Sequence, residues 1–165
     1  MALLSYGTLE IDQRLAGPGR TLGEADFTTA CMVTGDWHPV HCDKVFARST
    51  PAGKPLLHGG YLTAIMLGMT ANLLEFEEPV VFLLGLENWA FKAAVVAGDT
   101  VHLELTLQSK RRTSSGDRGI LQFRQRLVNQ HGETVVEGTS SHMVVDSASG
   151  KPEDMPAPAG GQLDE

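Results

Sequence analysis

Between Thr100 and Gln108 the chain reads TVHLELTLQ, with Val101, Leu103, Leu105 and Leu107 on one face and His102, Glu104, Thr106 and Gln108 on the other. A period of two predicts a strand with one buried face. The turn signal SSGD (Ser114 to Asp117) leads into a second such run, with Leu121, Phe123 and Leu127 inward and Gln122, Arg124 and Arg126 outward. A break at NQHGE precedes a third run, ETVVEGTSSHMVV. The pattern therefore predicts long antiparallel strands joined by hairpins.

Upstream the period changes. Thr21 stands three residues before Glu24, a capping-box spacing, and Phe27, Ala30, Cys31 and Thr34 follow at helical intervals until Gly35 offers a stop. From Leu62 to Leu74 the chain is apolar on nearly every side, which predicts a helix buried all round. VVFLLG (Val80 to Gly85) is a short continuous apolar run suited to a central strand. One apolar helix followed by long antiparallel strands describes an α+β fold in which a sheet curls around the helix.

The 165 residues make one domain the natural expectation, over 1–145, and a tail from 146 to 165 is rich in Pro, Gly, Ala and acid and expected to be disordered. Thirteen Lys and Arg against twenty Asp and Glu leave a formal charge of -7, which argues against a nucleic-acid partner. No apolar run approaches bilayer length and the N-terminus lacks a signal-peptide pattern, so no membrane association and a cytoplasmic location are expected. The two cysteines, Cys31 and Cys42, are expected to stay thiols there.

The densest chemistry lies in GDWHPVHCD, Gly35 to Asp43. Two histidines and two carboxylates around a proline suit a metal site, an acid–base pair or a polar turn. Pro39 disfavours helical geometry at His38, so the cluster is expected on a loop. HPVH with Cys42 or Asp43 is a zinc candidate, but a second pair with ligand spacing is missing.

GDWHPVHCD is followed by Phe46-Ala47, then by KPLLHGG at Lys54 to Gly60, then by FKAAVVAGDTV at Phe91 to Val101. These ordered blocks, spread over Thr21 to Val145, resemble the MaoC-like dehydratases of the hot-dog fold, a family that includes (R)-specific enoyl-CoA hydratases. His38 stands where that family usually has Asn, and Ala94 where it usually has Pro. The resemblance implies a single hot-dog domain, a homodimer or larger homo-oligomer, and an acyl-CoA substrate with no metal and no redox cofactor, coenzyme A being part of the substrate.

Hydrating an enoyl thioester needs a base for water, an acid for the α-carbon and a donor for the charge growing on the thioester oxygen. The resemblance places the proton work on Asp36 and His41; otherwise Asp36 is a turn residue and His41 an ordinary buried imidazole. Gly59 is the expected oxyanion donor, because backbone N–H groups opening a helix point at whatever lies before them. His58 is expected to form structural hydrogen bonds beside the substrate. Trp37 either lines an acyl pocket or packs on the protein's own surface. Arg48, Lys54, Lys92, Arg111 and Arg112 are candidates for the phosphates of coenzyme A. Two rivals stand beside the hydratase: a hot-dog thioesterase, whose helix carboxylate is missing before Glu75, and a non-catalytic acyl-CoA-binding subunit.

Overall fold

The computed structural model describes residues 3–76 and 80–146. The expected tail therefore lies outside the described residues except for Asp146. That residue is buried at the end of the last strand, where its carboxylate meets Arg112 Nε at 2.7 Å and its N–H donates to the Asp117 carbonyl at 3.0 Å.

The architecture is the α+β arrangement expected. Two short strands, β1 (Arg14–Ala16) and β2 (Arg20–Thr21), precede three helices, α1 (Glu24–Thr34), α2 (Pro39–Cys42) and α3 (Lys44–Ala47). The central helix α4 (Gly59–Leu73) follows, and then the long strands β3 (Val80–Phe91), β4 (Thr100–Arg112), β5 (Arg118–Asn129) and β6 (Thr134–Val145). The sheet runs β1-β4-β5-β6-β3, with β2 also on β4, and every named pairing is antiparallel. Val101, Leu103, Leu105 and Leu107 are fully buried, as are Leu121, Phe123 and Leu127, so both alternating patterns report their faces correctly. Each such side chain contributes about 1.5–3 kcal/mol relative to exposure, which outweighs β-propensity differences and sets the register.

The inward face is not wholly apolar. Gln125 is fully buried among these residues, accepting from Thr70 Oγ1 of α4 at 3.1 Å and donating to Ser140 Oγ, which in turn meets His142 Nε2 at 2.8 Å. Burial pushes the His142 imidazole down to about 4. The chain of bonds ties helix to sheet and satisfies each buried group, as a low-dielectric interior demands.

Three expectations are corrected. The α1 cap is not the Thr21–Glu24 box: Gly23 is the N-cap, and its N–H donates to the Asp26 carboxylate at 2.9 Å. Thr21 instead bonds Thr100 across the β2–β4 ladder, because pairing there holds the chain extended for two more residues. Nor is α4 buried all round. Leu62, Ile65, Met66, Thr70 and Leu73 face the sheet, while Gly60, Ala64, Gly68 and Asn72 are exposed. With the segment Gly17 to Arg20, part of this outer stripe lines a groove of about 450 Å³. One curved sheet covers only one side of a cylinder. The apolar run VVFLLG, expected as a central strand, lies instead in β3 at the end of the strand order. Phe82, Leu83 and Leu84 are each about half exposed there. A short apolar run carries no information on which neighbour pairs with it.

Candidate active site

The site is built where α1 ends, α2 turns and α4 begins. Gly35 terminates α1 in the left-handed region at φ 71°, its N–H returning to the Cys31 carbonyl at 2.9 Å. That reversal is available to glycine without a Cβ penalty. Asp36 follows, its N–H held by Thr34 Oγ1 at 3.2 Å. Its Oδ1 accepts the His38 N–H at 3.0 Å, an Asx turn that closes the loop.

The loop expectation needs correction at Pro39. The proline opens a helical turn, α2, at the first position, where its missing N–H costs nothing and its fixed φ is already helical. His38, restricted to extended geometry as the residue before proline, becomes the N-cap, and its Nδ1 accepts the Val40 N–H at 3.2 Å. The imidazole thus serves the capping role open to an Asn side chain. Asp43 caps the next turn, with Oδ1 accepting from Val45 N–H at 2.8 Å and Phe46 N–H at 3.0 Å, and so takes no part in the cluster around Asp36.

His41 comes off α2 toward the chain leading into α4. Its Nδ1 lies 2.8 Å from the Leu56 carbonyl, which can only accept, so Nδ1 carries the proton and Nε2 keeps a lone pair. That Nε2 faces Asp36 Oδ2 at 3.7 Å. His58, the N-cap of α4, accepts the Gly60 N–H on Nδ1 at 3.0 Å and points Nε2 at the same Asp36 oxygen at 3.2 Å. The two rings lie 5.2 Å apart, and Asp36, His41 and His58 form one partly buried group within 4.8 Å. Asp36 is held below the usual aspartate range, chiefly by the His38 N–H; desolvation opposes this as the next-largest influence, and the neighbouring imidazoles each lower it further by less.

Gly59 is the first residue of α4. Among the described residues its N–H has no hydrogen-bond partner, whereas the next one is taken by His58. A Cβ on Gly59 would sit 3.0–3.2 Å from the ring of Phe91, so the ring of β3 roofs the helix start. Phe91 and the Leu56 carbonyl are the site components that sequence reasoning missed. Phe91 opens the FKAAVVAGDTV block, whose pattern assigns it no role, and a carbonyl fifteen residues beyond its imidazole leaves no trace in a sequence.

Of the residues singled out, Asp36, His41, His58 and Gly59 converge. Trp37 does not join them; the residue is 55% exposed and its carbonyl accepts the Cys42 thiol at 3.4 Å. The cationic candidates separate. Arg112 is taken by Asp146 and Lys92 by Glu137, and Arg111 lines a cleft between β3 and the hairpin of β4 and β5. Arg48 and Lys54 share a cleft of about 290 Å³ with Lys44 beside Pro55, next to the segment that carries Leu56.

Comparison with known proteins bears on the family and the fold. The family model described as MaoC like domain matches residues 8–122. The (R)-specific enoyl-CoA hydratase of Aeromonas caviae is 27% identical over 135 residues, covering 82% of this chain and 95% of the relative. Protein MaoC of Klebsiella aerogenes is 33% identical over 96 residues, which is 58% of this chain but only 28% of that much longer protein. Among solved structures, the unliganded R-hydratase PhaJ1 of Pseudomonas aeruginosa superposes with a TM-score of 0.71 at 26% identity, covering 86% of each chain. No helix among the described residues is long and apolar enough to cross a membrane. With a sheet wrapped around a central helix and a family match over most of its length, the chain belongs to the MaoC-like family of hot-dog-fold proteins.

Proposed function

We propose that this chain is an (R)-specific enoyl-CoA hydratase, acting in reverse as a 3-hydroxyacyl-CoA dehydratase. The observation that carries the reading is one Asp36 oxygen 3.7 Å from His41 Nε2, beside a helix start whose first N–H, that of Gly59, is unpaired among the described residues. As water oxygen bonds to C3, His41 Nε2 takes its proton while the Asp36 carboxylate orients the water and stabilises the imidazolium. The electron pair of the 2,3 double bond moves onto the thioester oxygen, which faces the Gly59 N–H. Delivery of the proton to C2 from the Asp36–His41 pair restores the carbonyl, so one water is added and nothing is oxidised.

The same tautomers support a site without a metal. With Nδ1 of His58 accepting the Gly60 N–H, its neutral ring carries the proton on Nε2, so the three-residue group offers two lone-pair donors rather than three. Arg48 and Lys54 are the cations best placed for the phosphates of coenzyme A, since their cleft beside Pro55 adjoins the Leu56 segment and neither is in an ion pair among the described residues. Trp37 would border the substrate entrance from its exposed position. Nothing in these components calls for a nucleic-acid or membrane partner, and a cytoplasmic location fits a coenzyme A thioester substrate. The test is direct: purified protein should abolish the conjugated absorbance of a trans-2-enoyl-CoA without releasing thiol, giving the (R)-3-hydroxy product. Thiol release from a saturated acyl-CoA would instead establish the thioesterase, and binding without turnover the non-catalytic subunit.

We also propose a homodimer through β3. Its Phe82, Leu83 and Leu84 expose an apolar edge that a lone chain would leave as a template for aggregation. Sedimentation should show a dimer, and Leu84→Asp should shift the population toward monomer; an unaltered monomer in both proteins would remove the proposal.

A further inference from the structure

Two imidazoles approach Asp36 Oδ2, and the proposed proton transfer uses only that of His41. His58 reaches the carboxylate from α4 at 3.2 Å, closer than His41 at 3.7 Å. Its own Nδ1 is committed to the Gly60 N–H at 3.0 Å. A ring that accepts at Nδ1 and is neutral must carry its hydrogen at Nε2, so the atom facing Asp36 is a donor. His41 is the mirror case, with its hydrogen on the Leu56 side and its lone pair toward Asp36. We infer that His58 is a positioning residue, a fixed Nε2–H donor that orients the Asp36 carboxylate and keeps it ionised, so that His41 alone receives the proton of water.

The local physics makes this a division of labour. Asp36 Oδ1 is occupied by the His38 N–H at 3.0 Å, leaving Oδ2 for the reaction. Without a second donor that oxygen could rotate freely or close onto His41 as an ion pair, which would quench the base. A hydrogen bond to an ionised acceptor is roughly twice as strong as a neutral one, enough to select one rotamer of a partly exposed aspartate. The groups facing Asp36 are His38 from its own loop, His41 from α2, His58 from α4 and the Cys31 thiol of α1, which is pushed up by burial first, then by Cys42 and then by Asp36. Of the two imidazoles that face Oδ2, His58 is the one anchored at its other nitrogen by a helix cap, so the α4 start sets the ring's direction before substrate arrives.

His58→Asn separates the two duties of the residue. Asn is a strong N-cap and can still accept the Gly60 N–H, but its amide lacks a second nitrogen placed to reach Asp36. The variant should keep the thermal midpoint within a few degrees, lower kcat by about 10- to 100-fold with little change in KM, and move the Asp36 carboxyl titration, followed by ¹³C NMR, to higher pH. The direction follows because a lost donor had favoured the charged form. In the wild-type protein, ¹⁵N NMR at pH 8 should show His58 as the Nε2–H tautomer and His41 as the Nδ1–H tautomer. His58 in the Nδ1–H form, an unmoved Asp36 titration, or activity lost only in proportion to folded protein would each overturn the inference. So would zinc retained through dialysis by wild type but not by His58→Asn, since a ligand at Nε2 cannot also be a donor. The kinetic arm rests on the hydratase reading; the NMR arms do not, so a protein inactive on enoyl-CoA would refute that reading while leaving the tautomers to be decided.

Discussion

Asp36→Asn and His41→Ala are each expected to lower kcat for enoyl-CoA hydration by about 100- to 10,000-fold while the protein stays folded. Asn at position 36 keeps an oxygen for the His38 N–H, so the Asx turn that shapes the loop survives while the negative charge is gone. Because the His38 N–H and the surrounding imidazoles hold Asp36 below the ordinary aspartate range, the carboxylate is present throughout the neutral region. The loss in Asp36→Asn should therefore be the same at pH 6.5 and pH 8 when expressed as a ratio to wild type. His41→Ala removes the base and leaves the Leu56 carbonyl without its imidazole partner, a cost of about 1 kcal/mol in stability. Steady-state rates beside circular dichroism and thermal midpoints separate the two effects. Near-wild-type turnover in either variant would falsify the acid–base assignment.

The second large effect is expected at Gly59, and the geometry permits an unusually clean test. Gly59 is the first residue of α4, its N–H is unpaired among the described residues, and His58 before it already has φ -62° and ψ 129°. Those are the angles a residue preceding proline adopts, and proline is favoured at the first helical position. Gly59→Pro should therefore leave the helix intact while deleting the one hydrogen proposed to meet the thioester oxygen. Any Cβ at 59 also presses on the Phe91 ring, from 3.0 Å, so Gly59→Ala is the control that adds the same Cβ and keeps the N–H, which proline replaces with its ring Cδ. The expected result is a kcat about 100- to 1,000-fold lower in Gly59→Pro than in Gly59→Ala. Equal activity in the two would show that the glycine serves only the tight junction between loop and helix.

The parts of the fold that were legible in the sequence are those governed by a local period. Leu103 and Leu105 had to lie on one face because a strand alternates, and Phe123 had to join them once the turn at Gly116 reversed the chain. Gln125 was not legible in the same way. It occupies an inward position, and only the arrival of Thr70 from α4 and Ser140 from β6 makes its burial affordable. The edge position of β3 and the half-covered state of α4 were misjudged because hydrophobicity reports that a surface will be covered, not by which chain. The α2 turn was misjudged for a narrower reason: Pro39 restricts the residue before it, but it begins a helix as readily as it forbids one.

The amino-acid order alone settles that a bent segment carries Asp36 and His41, that a glycine opens an apolar helix, and that antiparallel strands follow, since each of these depends on neighbours a few residues apart. The folded chain decides which nitrogen of each imidazole bears a proton, that His58 stands nearer to Asp36 than His41 does, and that Phe91 lies over Gly59. Those properties arise from atoms distant in the chain, the Leu56 carbonyl and the α4 cap among them, and the direction of a hydrogen bond does not exist until both of its ends are in place.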